Sequence, residues 1–501
     1  MGHLRRSGDC AAPATRETGP VGQLVAGVDC STQSTKVVVV DVDSGAVVAS
    51  GRAPHRVHTA GGRRRRGGTA SETEPAEWAA ALRQALADTG RAGEVAAIAV
   101  GGQQHGLVVL GASGAPLRPA VLWNDTRSAA ESAALVDDFG AEWWAETAGS
   151  VPVPSFTVTT WAWLRSVEAE VADATAAVRL PHDWLTELLC GRGVTDRGDA
   201  SGTGWWSTPE GRYLHEVLDH PAVGLDPAQL PEVLGPSEVA GQVTDEAAAT
   251  YGLAAGALVG PGTGDNMAAA LGLGLAPGEA VLSLGTSGTA YTTALDPAAD
   301  PSGVVAGFAD ATGLFLPLAC TLNATVAVDR VAGWVGLERE AAAEHSGTVV
   351  VVPFLEGERT PNLPGAMGTV TGLTLDTTSG QLLRSAYEGV VVSLLDALER
   401  VGGGSADGPL LLVGGGARGA TWRDVVARLS GRPVVVPDAE ELVALGAAAQ
   451  AAALLTEEPP DAVARRWGTR GGLVLEPVER DLEALERHHA VRHGLLELYR
   501  S

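Results

Sequence analysis

At 501 residues the chain exceeds what a single hydrophobic core ordinarily serves, so its length favours two or three domains, and its 45% hydrophobic residues can fill them. With 35 basic against 60 acidic residues the formal net charge is −25, which argues against nucleic acid or an anionic membrane as the main partner. The four cysteines, Cys10, Cys30, Cys190 and Cys320, form no CxxC pair, so neither a zinc site nor a disulfide framework is expected and a reducing cytoplasm fits.

Residues 1–22 carry Arg5 and Arg6 without an apolar core segment, so a disordered extension is expected there rather than a signal peptide. No uninterrupted apolar run is long enough to span a bilayer. From Leu24 the pattern is strand, turn, strand. The stretch "GVDCSTQSTKVVVVD" (27–41) places an acid, Asp29, at the end of an apolar strand, then the hydroxyls of Ser31, Thr32, Ser34 and Thr35, then Lys36 opening a β-branched strand. It lacks the second glycine and following helix of the familiar phosphate loop. A hairpin turn whose N–H groups and hydroxyls form an anion-binding concavity is the alternative to an ordinary surface turn. Lys36 is the only lysine in the chain, and a lysine is a compact point charge for phosphate.

A turn at 43–45 and a further strand follow. The arginine run 63–66 between glycines is expected to be a mobile solvated loop. A helix is expected over 75–89, with Pro75 in its first turn, and a strand over 95–100 that closes on "GGQQHG" (101–106). About 255 residues after the first hairpin, "AVLSLGTSGTAYTTAL" (280–295) repeats the strand, hydroxyl-rich turn and strand, and another strand pair comes before the next helix. Duplicated lobes are therefore expected, with "LAPGEA" (275–280) as the boundary. The run "PLLLVGGGARGATWRDVVARL" (409–429) reads as a strand, a glycine triplet and a helix, an arrangement that lets a ligand approach backbone at a helix N-terminus. Residues 456–501 read as a peripheral helical extension.

Taken together, "DCSTQSTK" (29–36), "GQQHG" (102–106), "LWND" (122–125), "LPHDWL" (180–185), "GTGDNMAAALGLG" (262–274), "LSLGTSG" (282–288), "FLEGERTP" (354–361) and "LVGGGAR" (412–418) resemble the FGGY carbohydrate kinases, and within them the xylulokinases. The resemblance covers about residues 24–455, and the ordered set is far more specific than any one motif. It implies an α/β, two-lobed fold of the ribonuclease-H-like, actin-like kind, with a duplicated strand and helix core and an interlobe cleft. The implied lobes are residues 23–276, holding the sugar and one phosphate turn, and 277–455, holding the other phosphate turn and the adenosine motif. It also implies transfer of the ATP γ-phosphate to D-xylulose, with Mg²⁺.

Carried over residue by residue, the resemblance makes Asp265 the catalytic base; by sequence alone Asp265 is equally an N-cap of the helix that follows. Gln104, His105 and Asn266 are implied as sugar contacts, with Trp123, Asn124 and Asp125 as weaker ones. Asp29 is implied nearest the Mg²⁺, through water. Ser31, Thr32, Ser34, Thr35 and Lys36 would face the phosphates from one lobe and Gly285, Thr286, Ser287 and Gly288 from the other. Gly414, Gly415, Gly416 and Ala417 would border the adenosine. Ser31 stands where the family commonly has glycine, which puts the freedom of that turn in question. The charged pair of "GERTP", Glu358 and Arg359, is expected as a structural ion pair near the lobe interface. Kinases for ribulose, gluconate or glycerol, a non-catalytic sugar or nucleotide sensor, and an assembling ATPase remain as alternatives, and a homodimer is compatible with the sequence.

Overall fold

The computed structural model describes residues 22–60, 68–355, 357–405 and 408–500. The arginine run 63–66 and all but the last residue of the expected N-terminal extension lie outside these. In the first lobe, β1 (Leu24–Cys30) and β2 (Ser34–Asp41) form the expected antiparallel hairpin, with Asp29 directly opposite Lys36. β3 (Val47–Pro54) continues it, α1 (Pro75–Thr89) follows, and β4 (Val95–Gly102) returns parallel to β1. Val37–Val40 are buried on both faces of β2, which is why this segment is a continuous apolar run rather than an alternating one. The short strands β5 (Gly241–Gln242), β6 (Leu258–Val259) and β7 (Thr263–Gly264) complete the sheet, β6 and β7 pairing parallel with β4, and α2 (Asp265–Gly272) leaves directly from β7.

The second lobe repeats the plan. β8 (Ala280–Leu284) and β9 (Gly288–Thr292) form the second hairpin, and β10 (Val305–Ala309) with β11 (Phe315–Thr321) is the expected further pair. Then come α3 (Thr325–Val335), α4 (Ser379–Arg400), β12 (Leu410–Val413), α5 (Ala420–Ser430) and β13 (Val434–Pro437), with β12 parallel to β8 as β4 is to β1.

Two departures from the sequence expectations follow. α6 (Leu442–Thr456) belongs by position to the second half, yet it lies against β1, β4 and α2 of the first lobe. It is buried from Ala444 to Ala453 and apolar nearly all round, as a fully interior helix must be. The backbones there touch: a Cβ on Gly27 would stand 1.8 Å from the Ala444 carbonyl oxygen, and one on Gly446 1.9 Å from that of Ala268. The second departure is the C-terminal segment. Between α7 (Pro460–Trp467) and α8 (Leu482–Arg500) it contains a strand, β14 (Gly472–Leu475), that pairs antiparallel with β13 and extends the second sheet. Its alternation is too short to stand out from the flanking helices. α7 also reaches the first lobe, where Arg466 Nη1 and Trp467 Nε1 donate to the Val42 carbonyl at 3.0 and 2.9 Å.

One buried cluster joins the lobes, running from Val25 of β1 through α2 and α6 to Val281 and Val413 of the second sheet. Separate clusters fill the outer faces, around Trp78 and Leu82 in the first lobe and Tyr387 and Trp422 in the second. No helix among the described residues is long and apolar enough to cross a membrane.

Candidate active site

Ligands of open α/β sheets gather beyond the carboxyl ends of parallel strands. Here β1, β4 and β7 run side by side, and the register sets both Asp29 and Thr263 opposite Gly101. Asp29, the Gln104–His105 turn and Asp265 therefore emerge at one edge although they lie far apart in sequence. In the second lobe the parallel neighbours β8 and β12 deliver the turn at 285–287 and the glycine triplet to their own carboxyl edge. A cavity of about 190 Å³ lies between these edges, lined by Gln104, His105, Trp123, Asp265 and Asn266 on one side and Ser287, Phe308 and Arg359 on the other.

Asp265 opens α2. Gly264 occupies the N-cap and no side-chain cap bond is made, so Asp265 is the first helical residue and not the cap that its neighbourhood suggests. Its Oδ1 accepts from its neighbour Asn266, both the backbone N at 2.8 Å and Nδ2 at 3.0 Å. Asn266 Nδ2 also donates to Gln104 Oε1 at 2.8 Å, so the three side chains brace one another. Gln104 Nε2 is buried without a partner, a donor at the cavity wall. Burial, then the charges of Asp29 and Asp199, push the Asp265 carboxyl up to about 7. The approach to Asp265 is held from behind: Gly262 exchanges hydrogen bonds with Gln450 of α6 at 2.9 and 3.1 Å, and Thr263 Oγ1 donates to Asp196 at 2.7 Å. Below them His182 contacts Asp199 at 2.7 Å and Asp183 at 3.2 Å; although burial opposes it, these acids with Asp196 hold the imidazole at about 9, as a cation.

His105 has a left-handed backbone, φ 66°, a strain that persists where the surroundings impose it and that concentrates at functional sites. Its Nδ1 lies 2.7 Å from the Gly202 carbonyl and its ring stacks on Phe156. Burial lowers its pKa to about 4, so the ring is neutral, Nδ1 carries the proton and Nε2 is left as an acceptor. Trp123 is 40% exposed and donates to Thr32 Oγ1 at 3.1 Å, tying the cavity to the first turn. Asp125 is placed elsewhere: both its oxygens are engaged by Arg127 and by Ser71 N, and it does not line the cavity. It pins the loop that carries Trp123, and the structure does not bring it together with the other expected sugar contacts. Asn124 does not line the cavity either.

The first turn is also more selective than expected. Ser34 and Thr35 are buried, and Thr35 Oγ1 points to Cys30 Sγ, because both residues already belong to β2. Ser31, Thr32 and Lys36 remain partly accessible. Ser31 needs no left-handed backbone, and its hydroxyl donates to the Ser34 carbonyl at 2.8 Å, so the missing glycine costs the turn nothing. Lys36 contacts Asp29 at 3.3 Å and Glu441 at 2.6 Å. Glu441, from the second half of the chain, carries no local signal that would have found it.

In the second lobe Gly285, Thr286 and Ser287 are exposed, and the turn is fastened to the start of α3 by Thr325, whose N and Oγ1 both donate to Gly285 O. Gly414 and Gly415 are exposed beside it, whereas Gly416 and Ala417 are buried. Gly414 has φ 87°, and a Cβ there would stand 2.7 Å from the Leu284 carbonyl oxygen, so only glycine fits. A short 3₁₀ turn, Gly415–Arg418, separates the triplet from α5.

No group of three or more His, Cys, Asp or Glu side chains among the described residues forms a cation cage. Asp29, however, is 4% exposed with Oδ1 unpartnered, and burial raises its pKa to about 6 against the pull of Lys36. A single orphaned carboxylate oxygen beside a hydroxyl-bearing turn fits Mg²⁺, which keeps most of its waters and binds through one or two carboxylates and substrate phosphates.

Glu358 and Arg359 do not pair as expected: the carboxylate takes backbone and amide donors, and the guanidinium reaches the cavity.

Residues 24–272 match the N-terminal domain, and residues 280–455 the C-terminal domain, of the FGGY family of carbohydrate kinases. The chain is 59% identical over 470 residues to a xylulose kinase of Streptomyces rubiginosus, covering 93% of this chain and 95% of that one. Among solved structures, a xylulose kinase from Bifidobacterium adolescentis superposes with a TM-score of 0.82 at 37% identity, covering 94% and 99% of the two chains. One from Rhodospirillum rubrum gives 0.84 at 26% identity, covering 95% and 100%. The actin-like, ribonuclease-H-like layout is common to them all. With both halves matched, and with Asp265 of the first lobe and Ser287 of the second lining one cavity, the chain belongs to the FGGY family of carbohydrate kinases.

Proposed function

We propose that the enzyme transfers the γ-phosphate of ATP to D-xylulose, giving D-xylulose 5-phosphate, with Asp265 as general base. The observation that carries this reading is the meeting, in one interlobe cavity, of Asp265 and the sugar-facing Gln104, His105 and Asn266 with Ser287 of the opposite phosphate turn. The xylulose kinases to which the chain is similar support the choice of sugar.

Phosphoryl transfer asks mainly for positioning and charge neutralisation. Asn266, itself braced by Gln104, holds Asp265 through Oδ1, so Oδ2 is left to accept the proton of the attacking hydroxyl. His105 Nε2 accepts from a second sugar hydroxyl and Gln104 Nε2 donates to a third group. Ser31 and Thr32 on one lobe and Gly285–Ser287 on the other offer N–H and O–H donors to the phosphates. Mg²⁺ bound with ATP beside Asp29 supplies positive charge to the phosphates. Closure of the lobes brings the donors of both turns together and excludes water from the attacking position.

Coupled ADP release with Mg-ATP against D-xylulose, D-ribulose, L-ribulose, glycerol and D-gluconate tests the proposal. Strong dependence on D-xylulose is the expected result; preference for another sugar keeps the fold and overturns the substrate, and no sugar dependence overturns the activity.

A further inference from the structure

Gly357–Pro361 has no part in the steps above, yet its two charged residues are set apart with care. Glu358 is 1% exposed; its Oε1 accepts from Leu322 N at 2.6 Å and Arg359 N at 2.8 Å, and its Oε2 from Asn323 Nδ2 at 3.0 Å. Asn323 Nδ2 also donates to the Gly357 carbonyl at 2.7 Å, and Thr360 Oγ1 donates to the Cys320 carbonyl at 2.7 Å. The backbone on both sides of Arg359 is thus anchored to the end of β11 and the start of α3.

The guanidinium, by contrast, makes no hydrogen bond or ion pair among the described residues, although Arg359 is half-buried and lines the cavity. It is the only Lys or Arg among the residues lining that space. A guanidinium is a rigid fork of donors with nothing to accept, and burying part of it without a partner is costly. Across the cavity, the first lobe presents two acceptors, His105 Nε2 and the free oxygen of Asp265, beside the donor Gln104 Nε2. The field of Arg359 falls on His105 and Cys320, whereas the charges that act most on Asp265 are Asp29 and Asp199. Arg359, His105 and Cys320 line the same cavity, so a sugar held beside His105 lies within that field.

We propose that Arg359 reaches from the second lobe to donate to a substrate oxygen, the carbonyl oxygen of a ketose, on the face opposite His105, so that Arg359 is a specificity residue and sugar occupancy itself draws the lobes together. A carbonyl oxygen is an acceptor only, so it matches a donor-only fork. The inference rests on the sugar-kinase reading above, and deepens it by naming a second-lobe contact to the acceptor.

The test is steady-state kinetics of the full-length enzyme, comparing wild type, Arg359→Met and Arg359→Lys for D-xylulose and for Mg-ATP, with D-xylitol, which lacks the carbonyl, as a competing inhibitor. Arg359→Met is expected to lower kcat/KM for D-xylulose about 10- to 100-fold, the loss for one hydrogen bond to a charged group, while KM for Mg-ATP stays within about twofold. Inhibition by xylitol should change much less, so discrimination between ketose and alditol narrows. Arg359→Lys should recover part of the loss, since charge returns without the fork. An effect on Mg-ATP with D-xylulose unaffected assigns Arg359 to the phosphates and overturns the proposal; so does unchanged kinetics for both. If Arg359→Met melts far below wild type, Arg359→Lys decides alone, and wild-type values in it overturn the proposal. A wild type that turns over another sugar overturns the D-xylulose reading only, and the same variants assayed with that sugar then decide this one.

Discussion

Asp265 carries two opposed demands. As the proposed base it must be ionised, yet burial and the neighbouring Asp29 and Asp199 favour its proton and raise its pKa to about 7. The free-enzyme profile of kcat/KM is therefore expected to fall as pH drops below about 7, with the ionised fraction; a profile flat to pH 5.5 would remove Asp265 from the base role. Asp265→Asn is expected to lower kcat by about 10²-fold or more with sugar binding nearly intact, measured by turnover and by calorimetry. The same substitution should stabilise the fold. Because the folded pKa lies above the unfolded value of 3.8, the proton held by the native state contributes stability at low pH that is lost as pH rises through about 7. Asn needs no proton, so its Tm advantage should be larger at pH 8 than at pH 5, by calorimetric scanning. Asp265 and His105 were visible as candidates through the family resemblance of the Gly-Asp-Asn and Gln-Gln-His-Gly stretches. The sequence did not show that Asp125 would be consumed by Arg127, or that the Arg359 guanidinium would have no hydrogen bond or ion pair among the described residues, because both outcomes depend on partners brought in by the fold.

At the scale of elements, both hairpins were legible because β-branched runs and small-residue turns are local signals. The contacts that make the first hairpin specific were not. Lys36 is shared between its cross-strand neighbour Asp29 and Glu441 at the start of α6, so it couples the first hairpin turn to a helix from the other end of the chain. Lys36→Ala is expected to raise KM for Mg-ATP about tenfold while sugar affinity, by calorimetry, is unchanged; the opposite split would break the assignment of this turn to phosphate. α6 is alanine-rich and apolar nearly all round, and nothing in that composition says which lobe it covers. Its packing is unforgiving, since any side chain at Gly446 meets the Ala268 carbonyl at 1.9 Å and helix backbone is slow to yield. Gly446→Ala should therefore lower Tm measurably even though alanine is the better helix former; a raised Tm would show that α2 and α6 stand further apart.

Across the whole molecule, duplication was apparent from two hairpins about 255 residues apart, whereas the exchange of helices between halves was not. α6 closes one face of the first sheet, and Gln450 on it grips Gly262, three residues before Asp265. The second half of the chain thus contributes α6 to the packing of the first lobe across the linear boundary near residue 276. During synthesis, which proceeds at roughly 5–20 residues per second, a nascent chain that has just completed its N-terminal half exposes the apolar face around Gly27 and Met267 until α6 emerges from the ribosome. The first lobe must wait for nearly the whole polypeptide before it can close, so a fragment ending near residue 276 should be aggregation-prone by itself and regain a folded, dispersed state only when co-expressed with the remaining half.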